Sequence, residues 1–327
     1  MTDKIHSYTA ANALPLKILK NEELMRSLNK CKVIPWHIQL NLTNACNFKC
    51  DFCSCANRDK ALSLPFSEVA EMMKMYRKLG MDSVTITGGG ETTLYPELSK
   101  VLKLLHELNV DVGLVTNGSL LHTLSEADLN RIHWLRISVS DILHRQLKID
   151  DWFNSINQAV SKDNTIGWAF SYVVSSYPNF TFMKKIINYA NDHNFTHVRL
   201  VSDLLDIKSI SNMSAVRGGL LDLGVDVSKV IFQGRKTFVH GFTPCYISLL
   251  KPVVGADGLL YACCGSQYSQ NDTDKNYVNS MGHWRDLPKL VEEQKFFDGA
   301  KKCIKCYYED YQFIGQIIAS LDDERFV

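Results

Sequence analysis

An excess of charge of either sign is the first thing this sequence lacks. Its 327 residues carry 36 Lys and Arg against 35 Asp and Glu, a formal net charge of +1. No one-signed field is available to draw in a nucleic acid or an anionic membrane surface. A long apolar run is missing too. The longest stretch without a charged side chain, Asn164 to Met183, is broken by Ser171, Ser175, Ser176, Pro178 and Asn179, so it does not read as a membrane span. The N-terminal MTDKIHSYTA has no basic-then-apolar order of a secretion signal. Low-complexity tracts and fixed-period repeats are also lacking. A 46% hydrophobic share against 22% charged excludes disorder throughout. These absences predict a cytoplasmic chain with no membrane and no nucleic-acid partner.

Cysteine is missing from positions 56 to 244 and crowded on either side. The ten are Cys31, Cys46, Cys50, Cys53, Cys55, Cys245, Cys263, Cys264, Cys303 and Cys306. In a reducing cytosol, clustered thiols bind metal more often than they pair as disulfides. At about 150 residues per domain, the length suggests two units or one large α/β body with an appendage.

Strand and helix patterns alternate through the cysteine-free region. Ile34 to Thr43, Ser83 to Thr87, Asp111 to Thr116, Trp134 to Ser140, Gly167 to Val174 and His197 to Ser202 read as six strands. Between them, Val69, Met72, Met73, Tyr76 and Leu79 recur at helical spacing with Gly80 as a stop. Leu98, Val101, Leu102, Leu105 and Leu108 repeat the pattern, and Met183 to Asp192 is another helix. The alternation predicts a parallel sheet with right-handed crossovers, curved into a barrel-like body. The expected organisation is an N-terminal arm (1–33), the barrel (34–205), a glycine-bearing linker (206–241) and a cysteine-rich C-terminal domain (242–327).

Cys46, Cys50 and Cys53 form a C-x3-C-x2-C group on the loop leaving the first strand, with Phe52 before the third cysteine. Three thiolates can hold three corners of a 4Fe–4S cluster and leave the fourth iron open to a cofactor or substrate. Zinc, with Cys55 as a fourth ligand, is the alternative. In the C-terminal part, Cys245, Cys263, Cys303 and Cys306 can fill every corner of a second cluster or a tetrahedral zinc site. Cys31, Cys55 and Cys264 read as small, partly buried thiols, with hydrogen-atom donation as the sharper alternative.

The first group, followed in order by Thr87-Gly88-Gly89-Gly90-Glu91, Thr116-Asn117-Gly118 and Arg136 to Asp141, resembles the motifs of the radical S-adenosylmethionine (SAM) enzymes. The chain is similar to that family over roughly residues 34 to 205, the glutamate being followed by Thr92 where the family usually has proline. The resemblance implies a partial (β/α)6 barrel. It makes Cys46, Cys50 and Cys53 the ligands of a SAM-binding 4Fe–4S cluster. It places SAM against Phe52, Gly89, Gly90, Glu91, Asn117, Ser138 and Asp141, with Glu91 on the SAM amino group. The C-terminal spacing, with Gly258 before Cys263, resembles the twitch domain, a shortened SPASM domain. That implies one auxiliary 4Fe–4S cluster on Cys245, Cys263, Cys303 and Cys306, with a spacing close to that of 2-deoxy-scyllo-inosamine dehydrogenase.

The function so implied is reductive cleavage of SAM to a 5′-deoxyadenosyl radical that abstracts hydrogen from a small polar metabolite or a peptide. Net oxidation is expected, helped by the auxiliary cluster and an external donor such as flavodoxin or ferredoxin. Peptide maturation by epimerisation or cross-linking is the second reading. It is weakened by the short arm, too small for a peptide-recognition domain. A zinc-stapled, non-enzymatic scaffold is the third. Tyr95 and Asp203 stand where a catalytic base would project, with a structural role as the alternative for each. The apolar stripe Phe313, Ile314, Ile317, Ile318 and Leu321 reads as core packing.

Overall fold

The computed structural model describes residues 18, 20–28, 30, 32–139, 149–162, 165–203, 212–234, 241, 243–267, 279–303 and 306. Asp141, Cys31 and the C-terminal apolar stripe lie outside them. Six parallel strands form where the sequence alternation places them: β1 (His37–Leu40), β2 (Ser83–Ile86), β3 (Asp111–Thr116), β4 (Trp134–Val139), β5 (Gly167–Val174) and β6 (His197–Ser202). They pair in chain order. Helices Phe66–Lys78, Leu98–Glu107, Ile149–Lys162 and Phe180–Asp192, each with a buried apolar face, lie in four of the crossovers, and the short helix Glu126–Leu129 lies in the remaining one. Helix Phe66–Lys78 buries Val69, Met72, Met73 and Tyr76, and the chain turns out of it through Gly80 at φ +104°. A side chain resists that backbone angle, so the glycine is a stop.

The sheet then grows at both edges. On one side, β7 (Val230–Gln233) pairs in parallel with β6. It lies within 206–241, the stretch expected as a linker, together with helix Met213–Asp222. The glycines that suggested a linker do other work there. A Cβ on Gly219 would sit 2.6 Å from the Phe180 ring, so this glycine permits close helix packing, and Gly224, at φ +68°, follows the helix end. On the other side, β8 (Val253–Val254) pairs in parallel with β1, and β9 (Leu259–Tyr261) and β10 (Ser280–His283) continue antiparallel. Cys263 thus follows a strand of the same sheet as the barrel strands, and Cys245 forms an isolated bridge with Phe297.

That edge is also fastened through side chains. Tyr76 donates its hydroxyl to the Trp284 carbonyl at 2.7 Å, and the Trp284 indole donates to Glu68 at 3.0 Å. Gln294 and Val33 exchange two hydrogen bonds, of 2.7 and 3.0 Å. Among the described residues no helix is long and apolar enough to cross a membrane.

The faces of the central strands separate cleanly. Ile137, Phe170 and Leu200 are fully buried toward the helices, where Phe170 packs on Trp152 and Tyr189. Alternation then sends Trp134, Arg136, Ser138, Ala169, Ser171, His197 and Arg199 to the inner face. Trp134 lies across Gly113, whose Cβ would fall 2.1 Å from the indole. A bulky ring therefore closes the inside at the N-terminal ends of the strands, and chemistry is left to the C-terminal ends, as in other barrels of this kind.

Candidate active site

Three loops leave the C-terminal ends of β1, β2 and β3, and hydrogen bonds draw them together. After β1 the chain runs through Thr43 and Ala45 into Cys46. After β2 it runs through Gly88, Gly89, Gly90 and Glu91. The N–H groups of Gly90 and Glu91 donate to the carbonyls of Thr43 and Ala45 at 2.8 and 2.7 Å. A Cβ on Gly90 would stand 1.9 Å from the Ala45 oxygen, so only glycine allows this approach. Gly88 and Gly89 take φ of +77° and +62°. The glycine run is therefore the means by which the second loop reaches the cysteine loop.

Glu91 is buried and both its carboxylate oxygens are engaged. One accepts from the Thr93 N–H at 3.0 Å, the Thr93 hydroxyl at 2.7 Å and the Thr116 hydroxyl at 2.5 Å. The other accepts from the Asn117 N–H at 2.6 Å. The resemblance puts this carboxylate on the SAM amino group; the structure gives it a second duty, holding the loop after β3. Asn117 in turn donates to the Asn47 side chain at 2.8 Å, and Asn47 donates to Ser119 at 2.9 Å, closing the ring back onto the cysteine loop.

Within that loop the cysteines are brought round by tight turns. Cys53 N–H donates to Cys50 O at 3.1 Å, and Phe48 N–H points at the Cys46 sulfur at 3.5 Å. Arg58 carries no motif in the sequence, yet it organises the loop. Its Nε donates to Asn44 O at 2.9 Å, and its Nη1 donates to Cys55 O at 2.5 Å and to the Cys53 sulfur at 3.4 Å. The Cys53 thiol is lowered to about 5, by a hydrogen bond from Cys55 and its backbone and by the Arg58 charge, against the opposing effect of burial. A thiol so tuned is a thiolate at neutral pH, the form that binds iron. Lone basic residues a few positions from a cysteine motif are common, so no signal in the sequence marked this one.

The second group converges from separated segments. Backbone bonds tie Cys245 N–H to Phe297 O at 3.2 Å and Gly241 N–H to Cys303 O at 3.1 Å. Burial pushes the Cys245 thiol up to about 12, helped by the nearby Cys306 and Cys303. Burial likewise raises Cys263 far above the usual thiol range, aided by Cys264, Cys245 and Cys303. Cys303 is raised by burial and by Cys306. Neighbouring sulfurs that disfavour one another's charge gain from a cation held between them, and this donor set suits an iron–sulfur cluster. The side chains are neighbours rather than a closed ligand shell: among the described residues no three of His, Cys, Asp and Glu are gathered tightly enough to hold a single metal ion.

The remaining candidates divide. Phe52 and Ser138 are partly exposed, Ser138 on the inner face of β4. Tyr95 is buried, donates to Leu64 O at 2.8 Å and has its hydroxyl pushed up to about 12 by burial, which suits packing rather than proton transfer. Asp203 is buried at the end of β6 and its N–H donates to Val174 O.

Comparison with known proteins places this architecture. The family model described as the radical SAM superfamily matches residues 40–162. Among curated proteins, GTP 3′,8-cyclase of Staphylococcus carnosus is 34% identical over 154 residues, covering 42% of each chain. The Staphylococcus aureus enzyme of the same name is 32% identical over 152 residues, again 42% of each. The chain thus spans about two-fifths of the length of the curated relatives it matches. Among solved structures, Streptococcus suis SuiB bound to S-adenosylmethionine aligns with a TM-score of 0.61 at 14% identity, over 86% of this chain and 72% of that one. A structure titled native anSMEcpe with bound AdoMet and a peptide aligns at 0.57 and 15% identity, over 88% of this chain and 99% of that one. Both show the same fold. The matched stretch contains Cys46, Cys50, Cys53, the glycine turn, Glu91, Asn117 and Ser138, so residues 40–162, the part with the three motif loops, are similar to the radical SAM superfamily.

Proposed function

We propose that this chain is a radical SAM enzyme that oxidises a small polar metabolite or a peptide side chain, with a second cluster on Cys245, Cys263, Cys303 and Cys306 taking up the substrate electron. When bound, the first cluster and SAM supply reductive cleavage to methionine and a 5′-deoxyadenosyl radical. The protein's own part is to hold, orient and exclude water. Cys46, Cys50 and Cys53 are the assigned ligands of the first cluster. Cys55, helped by Arg58, favours the ionised Cys53 sulfur, and Glu91 holds the Asn117 turn. Gly89, Gly90, Ser138 and Asp141 are assigned to SAM.

The observation that carries the reading is a buried side-chain bond between the segments that lead into the first cysteine group and out of Cys263. The Asn41 side chain, five residues before Cys46, donates to Gln267, four residues after Cys263, at 2.9 Å. A buried bond of this kind couples the two cysteine-bearing segments. Four cysteine ligands would leave such a cluster no open corner for substrate, so electron acceptance is the chemistry it would supply.

Anaerobic reconstitution tests the assignment. About eight irons and eight sulfides per chain are expected, falling to about four of each in a Cys303→Ala, Cys306→Ala variant. Stoichiometric zinc without sulfide would sink it. With dithionite and SAM, the wild type should form 5′-deoxyadenosine. Deuterium from a labelled substrate should move to that product irreversibly.

A second reading, peptide maturation, is favoured by one comparison. Streptococcus suis SuiB bound to precursor peptide SuiA shares the fold over 90% of this chain at a TM-score of 0.60. Deuterium replaced by solvent hydrogen in a peptide product would favour it over oxidation. The activity of the GTP 3′,8-cyclases is not carried over, given how little of their length is spanned.

A further inference from the structure

Below the motif loops, the inner face of the sheet has a charge pattern that the SAM and cluster assignments leave unused. Register aligns Val115, Arg136, Ala169 and His197 in one layer across β3 to β6. The next layer toward the mouth aligns Ser138, Ser171 and Arg199. Two guanidinium groups therefore enter one interior from β4 and β6, one layer apart. Arg199 turns its fork onto the Ser171 hydroxyl, with Nε at 3.1 Å and Nη2 at 2.9 Å.

Arg136 is less well served. Its guanidinium carbon lies 5.2 Å from the centre of the Trp134 ring, and its Nε is shut off from solvent with no hydrogen-bond partner among the described residues. No carboxylate among the described residues forms an ion pair with it. Burial and then the Arg199 charge push its pKa down, but a guanidinium starts so high that it stays charged. His197 is held neutral, lowered to about 3 by burial, Arg136 and Arg199, so it does not add to the charge. Two like charges held close on one inner face repel each other, and an anion that accepts from the unpartnered Nε of Arg136 would offset that repulsion. Trp134 packs on Gly113 and Arg136 at the N-terminal ends of the strands, so the proposed approach is from the mouth.

We propose that Arg136 and Arg199 form an anion subsite inside the barrel that seats a carboxylate or phosphate of the substrate, below the SAM-binding loops. The assignment rests on the radical SAM reading for its direction of entry. It narrows the substrate to molecules with an anionic group at one end. The hydrogen to be abstracted would then lie on the mouth side of that group. An Arg fork recognises either anion by paired N–H donors, and the unpartnered Nε of Arg136 supplies one of them.

The test is anaerobic titration calorimetry on the reconstituted holoprotein with SAM present, using inorganic phosphate and, separately, acetate. One-site binding of at least one probe is expected, and the probe that binds tells which anion the subsite favours. Arg136→Gln should weaken that binding roughly tenfold or more while SAM affinity is retained. Arg136→Lys, which keeps charge and bulk should the glutamine variant not fold, should fall between them. The proposal is overturned if neither probe binds below about 10 mM. It is equally overturned if both variants bind like the wild type, or if Arg136→Gln loses SAM instead of the probe. Formation of 5′-deoxyadenosine by the wild type is read separately. Its failure would remove the radical reading and leave the anion result intact.

Discussion

The carboxylate of Glu91 receives the backbone N–H of Asn117 at 2.6 Å, binding the loop after β2 to the loop after β3 through a buried charge. Hydrogen bonds to an ionised acceptor are the stronger kind, and leaving buried donors unmet is costly. Glu91→Gln keeps the shape but turns an N–H₂ toward a donor. It should lower stability by roughly 2 to 3 kcal/mol in urea melts. SAM affinity should fall with it, because the Asn117 turn loosens. An unchanged melt would show that the clasp is not energetically significant.

Arg58 has a similar standing in the cysteine loop. Replacing it by alanine removes the bonds to Asn44 O, Cys55 O and the Cys53 sulfur together. A loss of about 2 to 4 kcal/mol is expected. Iron retained by the first site after gel filtration should drop markedly, with the Cys245, Cys263, Cys303 and Cys306 site still filled. Lysine at this position, unable to form the fork, should rescue little.

Glycine substitutions separate close approach from mere flexibility. Gly90→Ala meets the Ala45 carbonyl at 1.9 Å and must force the two loops apart, so soluble protein, if recovered, should bind SAM at least tenfold more weakly. Gly218, inside helix Met213–Asp222, has nothing within 4 Å of the point where a methyl group would stand, and Gly218→Ala should raise stability by about 0.5 to 1 kcal/mol. Equal effects at both sites would contradict the docking of the glycine turn.

His197 makes stability depend on acidity. Its value in the fold, about 3, lies below the 6.5 of a free histidine, so the unfolded chain takes up the proton first. The contribution is complete above pH 6.5 and is lost as pH falls toward 3. Between pH 7 and pH 5 the loss from this group is about 2 kcal/mol. Urea melts of the wild type and of His197→Gln should therefore differ in slope with pH over that range, the variant being flatter.

Much of the barrel could be read from the residues in order. The six strands and their helices announce themselves by periodicity, and that signal depends on each segment alone. The edges could not be read so. β7 and helix Met213–Asp222 were obscured by Gly218, Gly219 and Gly224, because a glycine that packs against Phe180 looks in sequence like one that merely bends. β8 is only two residues long and owes its existence to pairing with β1, a contact that no local pattern encodes.

By itself the sequence pointed to the chemistry proposed for the chain, because Cys46, Cys50 and Cys53 stand on one short loop and their spacing is a local property. The order of the glycine turn, Asn117 and Ser138 after them belongs to the same kind of information. Tertiary structure alone decided that Glu91 grips the Asn117 turn, that Arg58 tunes Cys53, and that Arg136 and Arg199 share an interior with His197. The reason is strand register and loop packing: both depend on contacts between segments far apart in the chain, and a side chain's charge means little until those contacts choose its neighbours.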